Sequence, residues 1–114
     1  MPAKSVIILL PRADQNIPNP TTSAMLRSGD LEDRATFFRN DLAFAADPTI
    51  LRNPHSILVR TDPVPNRAIA RAAQEQVAVF FATDGAETID PDGAGPPFEV
   101  PIEGSLPEDC GYIP

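Results

Sequence analysis

The sequence predicts a small α+β or α/β domain with its elements in the order β-α-β-α-β, carrying an extended proline-rich loop near its start and a second extended arm at its C-terminal side. Three observations lead there. Short apolar runs of strand type alternate with two stretches whose apolar residues recur at helical spacing. There are 14 prolines among 114 residues, more than double the ordinary usage of roughly 5%. Each proline fixes φ and removes a backbone donor, so the chain is cut into short elements. No internal repeat is present, and the length suits one domain with a modest core. The division expected is 1–85 as the folded core, with a long loop at 11–30, and 86–114 as an acidic Pro/Gly-rich arm without independent structure.

Ser5 to Leu10 is apolar, β-branched and stopped by Pro11, which reads as a strand buried on both faces. Residues 11–30 show no period and contain three prolines, Pro11, Pro18 and Pro20, so they read as a loop. Asp30 suits a helix N-cap, with Glu32 and Asp33 favourable in the first turn. Leu31, Ala35, Phe38, Leu42 and Ala45 then mark one helical face, with Phe37 and Phe44 on a neighbouring stripe, and Pro48 ends the helix near Ala46. Ser56 to Thr61 reads as a second strand, closed by the turn Asp62-Pro63-Val64-Pro65. Asn66 is a suitable cap for the next element, in which Ile69, Ala73, Val77 and Phe80 form a helical face. Two readings compete there: one helix ending at Gly85, or a helix over 66–76 followed by a strand over 77–82 with Asp84-Gly85 as a hairpin turn. Phe98 to Ile102 alternates, and Pro101 confines it to a sheet edge.

Charge divides the chain. Residues 1–71 carry nine bases and seven acids, whereas 72–114 carry nine acids and no base. That balance argues against nucleic acid or an anionic membrane as a partner and favours a basic protein surface. The lone Cys110 closes no intrachain disulfide and suits a reduced compartment. Val6–Leu10 is too short for a signal-peptide core, and no run is long enough for a membrane span, so a soluble, unprocessed protein is expected.

No constellation of catalytic type emerges. Asp90-Pro91-Asp92-Gly93 resembles a fragment of a calcium loop, but calcium needs six to eight oxygens and the remaining ligands are out of register, so a solvated acidic turn is expected. His55 is the only histidine; with Ser56 adjacent, the two side chains of a strand point to opposite faces and form no triad. Cys110 follows Asp109, and neighbouring negative charge disfavours a thiolate nucleophile. Neither a phosphate loop nor a cofactor or metal set is visible. The adjacent pairs Phe37-Phe38 and Phe80-Phe81 are more informative. On a helix, neighbours diverge by about 100°, so one member of each pair must face a second surface. Phe37, Phe44, Phe81, Phe98 and Tyr112 are therefore the candidate partner-binding residues. The function expected is a non-enzymatic structural or interaction subunit of a larger homo- or hetero-oligomeric assembly, such as a virion or phage accessory, cement or connector protein. The alternative is a soluble acidic inhibitor that mimics a polyanion and blocks a basic site.

Overall fold

The computed structural model describes residues 3–114 and consists of a three-stranded mixed sheet with helices on both faces. Its elements are β1 (Ile8–Pro11), α1 (Asn19–Gly29), β2 (Ala35–Phe38), α2 (Asn40–Ala46), α3 (Val64–Ala82) and β3 (Phe98–Glu99), with a single 3₁₀ turn at Glu32–Arg34 before β2. The fold is α+β, and β2 lies in the middle: β1 pairs with it in parallel and β3 antiparallel.

All four residues of β2 are buried, which is the pattern of a strand covered on both faces. Alternation along the strands sorts the core into two layers. Ala35 and Phe37 point to one side and join Leu10 of β1 and Leu26 of α1. Phe38 points to the other, with Ile57, Ala73 of α3 and Phe98 of β3. Thr36 shares that second side, where its hydroxyl accepts a hydrogen bond from Gln76 of α3.

The helix expected over 31–46 is thus corrected: its first half is a turn and the central strand, and only Asn40–Ala46 is helical. Spacing misled because Leu31, Ala35, Phe38 and Leu42 satisfy a helical period by coincidence, while Ala-Thr-Phe-Phe is buried in strand geometry, where adjacent side chains are 180° apart. Phe37 and Phe38 can then both be core, one in each layer.

The expected loop at 11–30 is corrected as well, since Asn19–Gly29 is a helix. Pro20 sits in its first turn, where a missing N–H costs nothing. Its buried residues are Asn19, Ser23 and Leu26, at i, i+4 and i+7, so the face is helical but two of three positions are polar. Each polar group is satisfied. Asn19 Oδ1 accepts from the Ala13 amide at 2.9 Å and its Nδ2 donates to the Pro11 carbonyl at 2.8 Å, while the Ser23 hydroxyl donates to the Pro107 carbonyl at 2.7 Å.

Ser56–Thr61 is not a strand. Ser56 adopts a positive φ of 63°, incompatible with an extended run, and the Val59 amide returns to the Ser56 carbonyl. The apolar character of the segment is used instead to place Ile57 and Leu58 under α3. The 66–85 region is one helix, Val64–Ala82, and no strand forms at 77–82. Its N-cap position is Pro63 rather than Asn66, with Pro65 in its first turn. Asn66 instead accepts a hydrogen bond from the Leu51 amide. Asp84-Gly85 ends the helix: Gly85 has φ 77°, its amide reaches back to the Phe80 carbonyl at 2.7 Å, and a Cβ there would lie 2.2 Å from that of Ser5.

The C-terminal segment folds back on its own domain. Of the edge strand expected over Phe98–Ile102, only Phe98–Glu99 pairs, as β3. Beyond it the Ile102 amide donates to the Ala35 carbonyl at 2.9 Å, and Ile102 and Leu106 pack against the layer of Leu10 and Phe37. Arg12 pairs with Asp109 at 2.5 Å, Arg27 pairs with Glu108, and Arg39 bridges Asp41 and Glu99. The radius of gyration, 13.7 Å, is close to the value of about 13 Å expected of a compact domain this long.

Candidate functional site

The side chain of Asp14 is buried and lies 3.1 Å and 3.2 Å, oxygen by oxygen, from His55 Nδ1. A helix start and three asparagines build this arrangement. Asn19, at the start of α1, fixes the 11–13 backbone, as above. Asp14 then turns the chain by accepting the amides of Asn16 and Ile17 on Oδ1. Asn53 Oδ1 accepts the amides of Gln15 and His55, and its Nδ2 donates to Asn16. A cavity of about 180 Å³ opens beside the pair, lined by Leu9, Asp14, His55, Ser56 and Leu58. A larger apolar cavity of about 270 Å³ runs between β1 and α1 and also reaches Asp14.

A carboxylate on Nδ1 fixes the imidazole tautomer and leaves Nε2 free to accept a proton. Base catalysis further needs a nucleophile within hydrogen-bond reach. Among the described residues the ring bonds only Asp14, and the Ser56 hydroxyl has no bond to it. Asp14 is already occupied by two amides besides the imidazole. The arrangement does what a structural clamp does: it joins the loop after β1 to the loop before Ile57. No periodicity or motif singles out Asp14, which is 41 positions away from its partner.

The acidic turn at 90–95 is likewise internal in its bonding. The Asp92 carboxylate accepts the Phe98 amide at 3.1 Å and so sets up the entry to β3. Among the described residues no group of three or more His, Cys, Asp or Glu side chains converges. Burial pushes the Asp92 carboxyl up to about 6, and its hydrogen bond with Asp90 adds to the rise. The folded state therefore holds this proton more tightly than the unfolded one, whose carboxyl titrates near 3.8. Stability is fully retained below about 4, falls as the pH climbs to about 6, and is flat above that. Asp92→Asn keeps an acceptor for Phe98 and loses the charge. It is expected to be at least as stable as the parent at pH 7 and to lose that slope, read from urea midpoints at a series of pH values.

The five aromatic candidates separate. Phe37 and Phe98 are core residues, which corrects the expectation that they face a partner; strand alternation, not a helical stripe, decides their direction. Phe44 is half-buried, with the Arg52 guanidinium 5.6 Å from its ring centre. Tyr112 is half-exposed, and its hydroxyl lies above its usual pKa because of the neighbouring Cys110 thiol. Phe81 stands out at 72% exposure, its ring edge-on to the buried Phe80 with 5.9 Å between centres.

Among the described residues the three most exposed large apolar side chains are Phe81 at 72%, Val59 at 70% and Val64 at 66%, Val59 lying off α3 and Val64 at its far end from Phe81. Two are on α3 and the third is on the turn that Gln74 of α3 holds, through the Leu58 carbonyl at 2.5 Å. Val59 and Val64 escaped the sequence reading because the first was assigned to a strand and the second to a turn. α3 buries Asn66, Ala70, Ala73, Gln76 and Phe80, and Arg67, Arg71, Gln74, Ala78 and Phe81 run along an exposed flank of the helix, on which Gln74 meets the turn at Leu58. Among the described residues no helix is long and apolar enough to cross a membrane. Comparison of the chain with known protein families, curated proteins and solved structures gives no match.

Proposed function

We propose that this chain is a non-enzymatic subunit of a protein assembly and that it docks through the outward face of α3. The observation that carries the reading is Phe81, which at 72% exposure is the most exposed large apolar side chain among the described residues, on the side of α3 turned to solvent. A soluble domain gains nothing by leaving a phenylalanine in water, and apolar patches rimmed by polar groups are characteristic of protein interfaces. Aromatic anchors contribute heavily to such contacts.

The folded-back C-terminal segment moves the emphasis from the arms to α3. Of the acids between 84 and 109, Glu99, Glu108 and Asp109 already pair with Arg39, Arg27 and Arg12. Those carboxylates are spent within the domain. This also weakens the polyanion-mimic alternative, which requires them to form one free face.

The test is the size of the particle that contains the chain in extracts of the cells that make it. The wild-type chain is expected to elute far above its monomer position, and Phe81→Glu is expected to elute alone while keeping wild-type circular dichroism. Monomeric elution of both would overturn the reading.

A further inference from the structure

We infer that the outer edge of β1 takes up an extended peptide of another protein, added to the sheet as a further strand. This contact is separate from the docking of α3 and stands without it. β1 is an edge strand, paired on one side only. The register Leu10↔Phe37 and the bond from the Arg12 amide to the Phe38 carbonyl show which groups that pairing uses. In a parallel ladder one residue bonds its neighbour through both amide and carbonyl, and the next turns both away. Ile8, Leu10 and Arg12 therefore face β2, while Leu9 and Pro11 turn their backbone groups outward. Asn19 takes the Pro11 carbonyl. Among the described residues the Leu9 amide and carbonyl meet no backbone group beyond the sheet. Bare edges are commonly blunted by a charge, yet Ser5 to Pro11 carry none.

The two cavities described above flank this edge on opposite faces of the sheet. Ile8 and Leu10 belong to the layer on the α1 side. There the cavity of about 270 Å³ runs along all four residues of β1, with Ile17, Thr22 and Met25 across from them. Leu9 belongs to the layer of Phe38. There the cavity of about 180 Å³ lies between Leu9 and the turn Ser56–Leu58. Successive residues of an added strand point to opposite faces, so its side chains enter the two cavities alternately. In strand addition the main-chain bonds supply affinity and pockets for alternate side chains supply selectivity. Ile17 and Met25, on the wall of the larger cavity, are half exposed, which suits a surface that a partner covers.

Charge defines the occupant. The titratable groups lining the cavities are Asp14 and His55, and the Asp14 carboxylate is already met by two amides and the imidazole. Neither cavity offers a free counter-charge, and a buried unpaired charge is costly. Both therefore select uncharged side chains. Beside the smaller cavity Arg60 donates to the His55 carbonyl at 3.4 Å. Its side chain is exposed and, among the described residues, makes no ion pair. An acid on the peptide just beyond its uncharged stretch meets that guanidinium. The occupant is thus an extended segment of uncharged, alternately apolar residues with an acid at one end. The β1 strand of a second copy does not qualify. Its Ile8, Leu9 and Leu10 are engaged in their own two layers, so it brings no side chain for the cavities.

The probe is a phage-displayed library of random heptapeptides, selected on the purified chain. Recovered peptides are expected to alternate apolar residues and to carry an acid at one end. Bound, they are expected to protect the Leu9 amide from hydrogen exchange, read by NMR, and to leave the Leu10 amide, already bonded to β2, unchanged. Leu9→Pro deletes the outward donor and no bond to β2, and is expected to weaken these peptides by at least about tenfold. Leu9→Ala keeps the amide and is expected to weaken them less. Thr22→Trp fills the larger cavity from α1 and is expected to match the loss at Leu9→Pro. Circular dichroism checks that each variant folds; should Leu9→Pro not fold, Thr22→Trp and the exchange measurement decide. Phe81→Glu is expected to bind as the wild type does, so failure of the α3 contact leaves this one standing. No recovered peptide, peptides indifferent to Leu9→Pro and Thr22→Trp, or a Leu9 amide left unprotected overturns the inference. Protection of that amide which rises with protein concentration in the absence of peptide places a second copy on the edge, and overturns it equally.

Discussion

Phe38→Ala is expected to destabilise the domain by about 3–5 kcal/mol, the range for removing a large aromatic from a packed core. Phe38 is 1% exposed and stacks at a tilt against Phe98, with 5.0 Å between ring centres. It is also the point where the central strand meets Ile57 and Ala73. Its loss therefore opens a void between α3 and the sheet and takes the packing from under β3. Domains of this kind are stable by about 5–15 kcal/mol, so a large share of the total is at stake. Urea unfolding monitored by circular dichroism measures it. Val59→Ala, a truncation at an exposed position, should stay within about 0.5 kcal/mol of the parent in the same experiment. Equal losses at both positions would contradict the placement of the core.

Gln76→Ala is expected to cost roughly 2–4 kcal/mol, by a different route. Gln76 is fully buried. Its Nε2 donates to the Thr36 hydroxyl at 2.9 Å and to the Ile89 carbonyl at 2.8 Å. Truncation leaves the Ile89 carbonyl without that donor, at about 1–3 kcal/mol for a buried polar group left unpaired, and adds a void beside β2. The carbonyl oxygen of the Gln76 side chain has no hydrogen-bond partner, so its removal returns part of the cost, which is why the loss stays below that at Phe38. A double-mutant cycle with Thr36→Val isolates the bond: the two changes together should cost less than the sum of each alone. Strict additivity would mean that the Gln76–Thr36 contact contributes nothing.

Gln76 also shows what a sequence reveals and what it conceals. The first half of the long helix was legible because alanines and apolar spacing agree there, while Val77–Ala82 suited helix and strand alike; the edge strand was legible in place but not in length, since only Phe98–Glu99 of the expected 98–102 pairs. A buried glutamine on the helix and a buried Asn19 and Ser23 on α1 were not, because periodicity is sought among apolar residues. These polar groups are buried only because specific partners meet them: Ser23 and Gln76 reach groups 84 and 40 positions away, and Asn19 holds the backbone six and eight positions before it. β2 was hidden for a related reason. Four residues, Ala-Thr-Phe-Phe, are too few to display a period, and their burial on both faces depends on helices that arrive from elsewhere. The candidate docking face was legible only in part. Adjacent phenylalanines signalled two surfaces, which is true of Phe80 and Phe81 on a helix and untrue of Phe37 and Phe38 on a strand.

The order in which β2 acquires its neighbours has a consequence for synthesis. Its parallel partner is complete early, but the bond from Arg39 to Glu99 spans 60 positions, and the bond from Arg12 to the Asp109 carbonyl spans 97. A growing chain that has passed α3 but not yet delivered Phe98 exposes one whole edge of its central strand together with the unfilled place beside Phe38. Closure of distant contacts is slow, and bare strand edges recruit other chains. The vulnerable interval is thus the translation of the acidic, proline-rich stretch between Gly85 and Phe98. That stretch carries three acids and no base, and like charge opposes the approach of other copies of the chain.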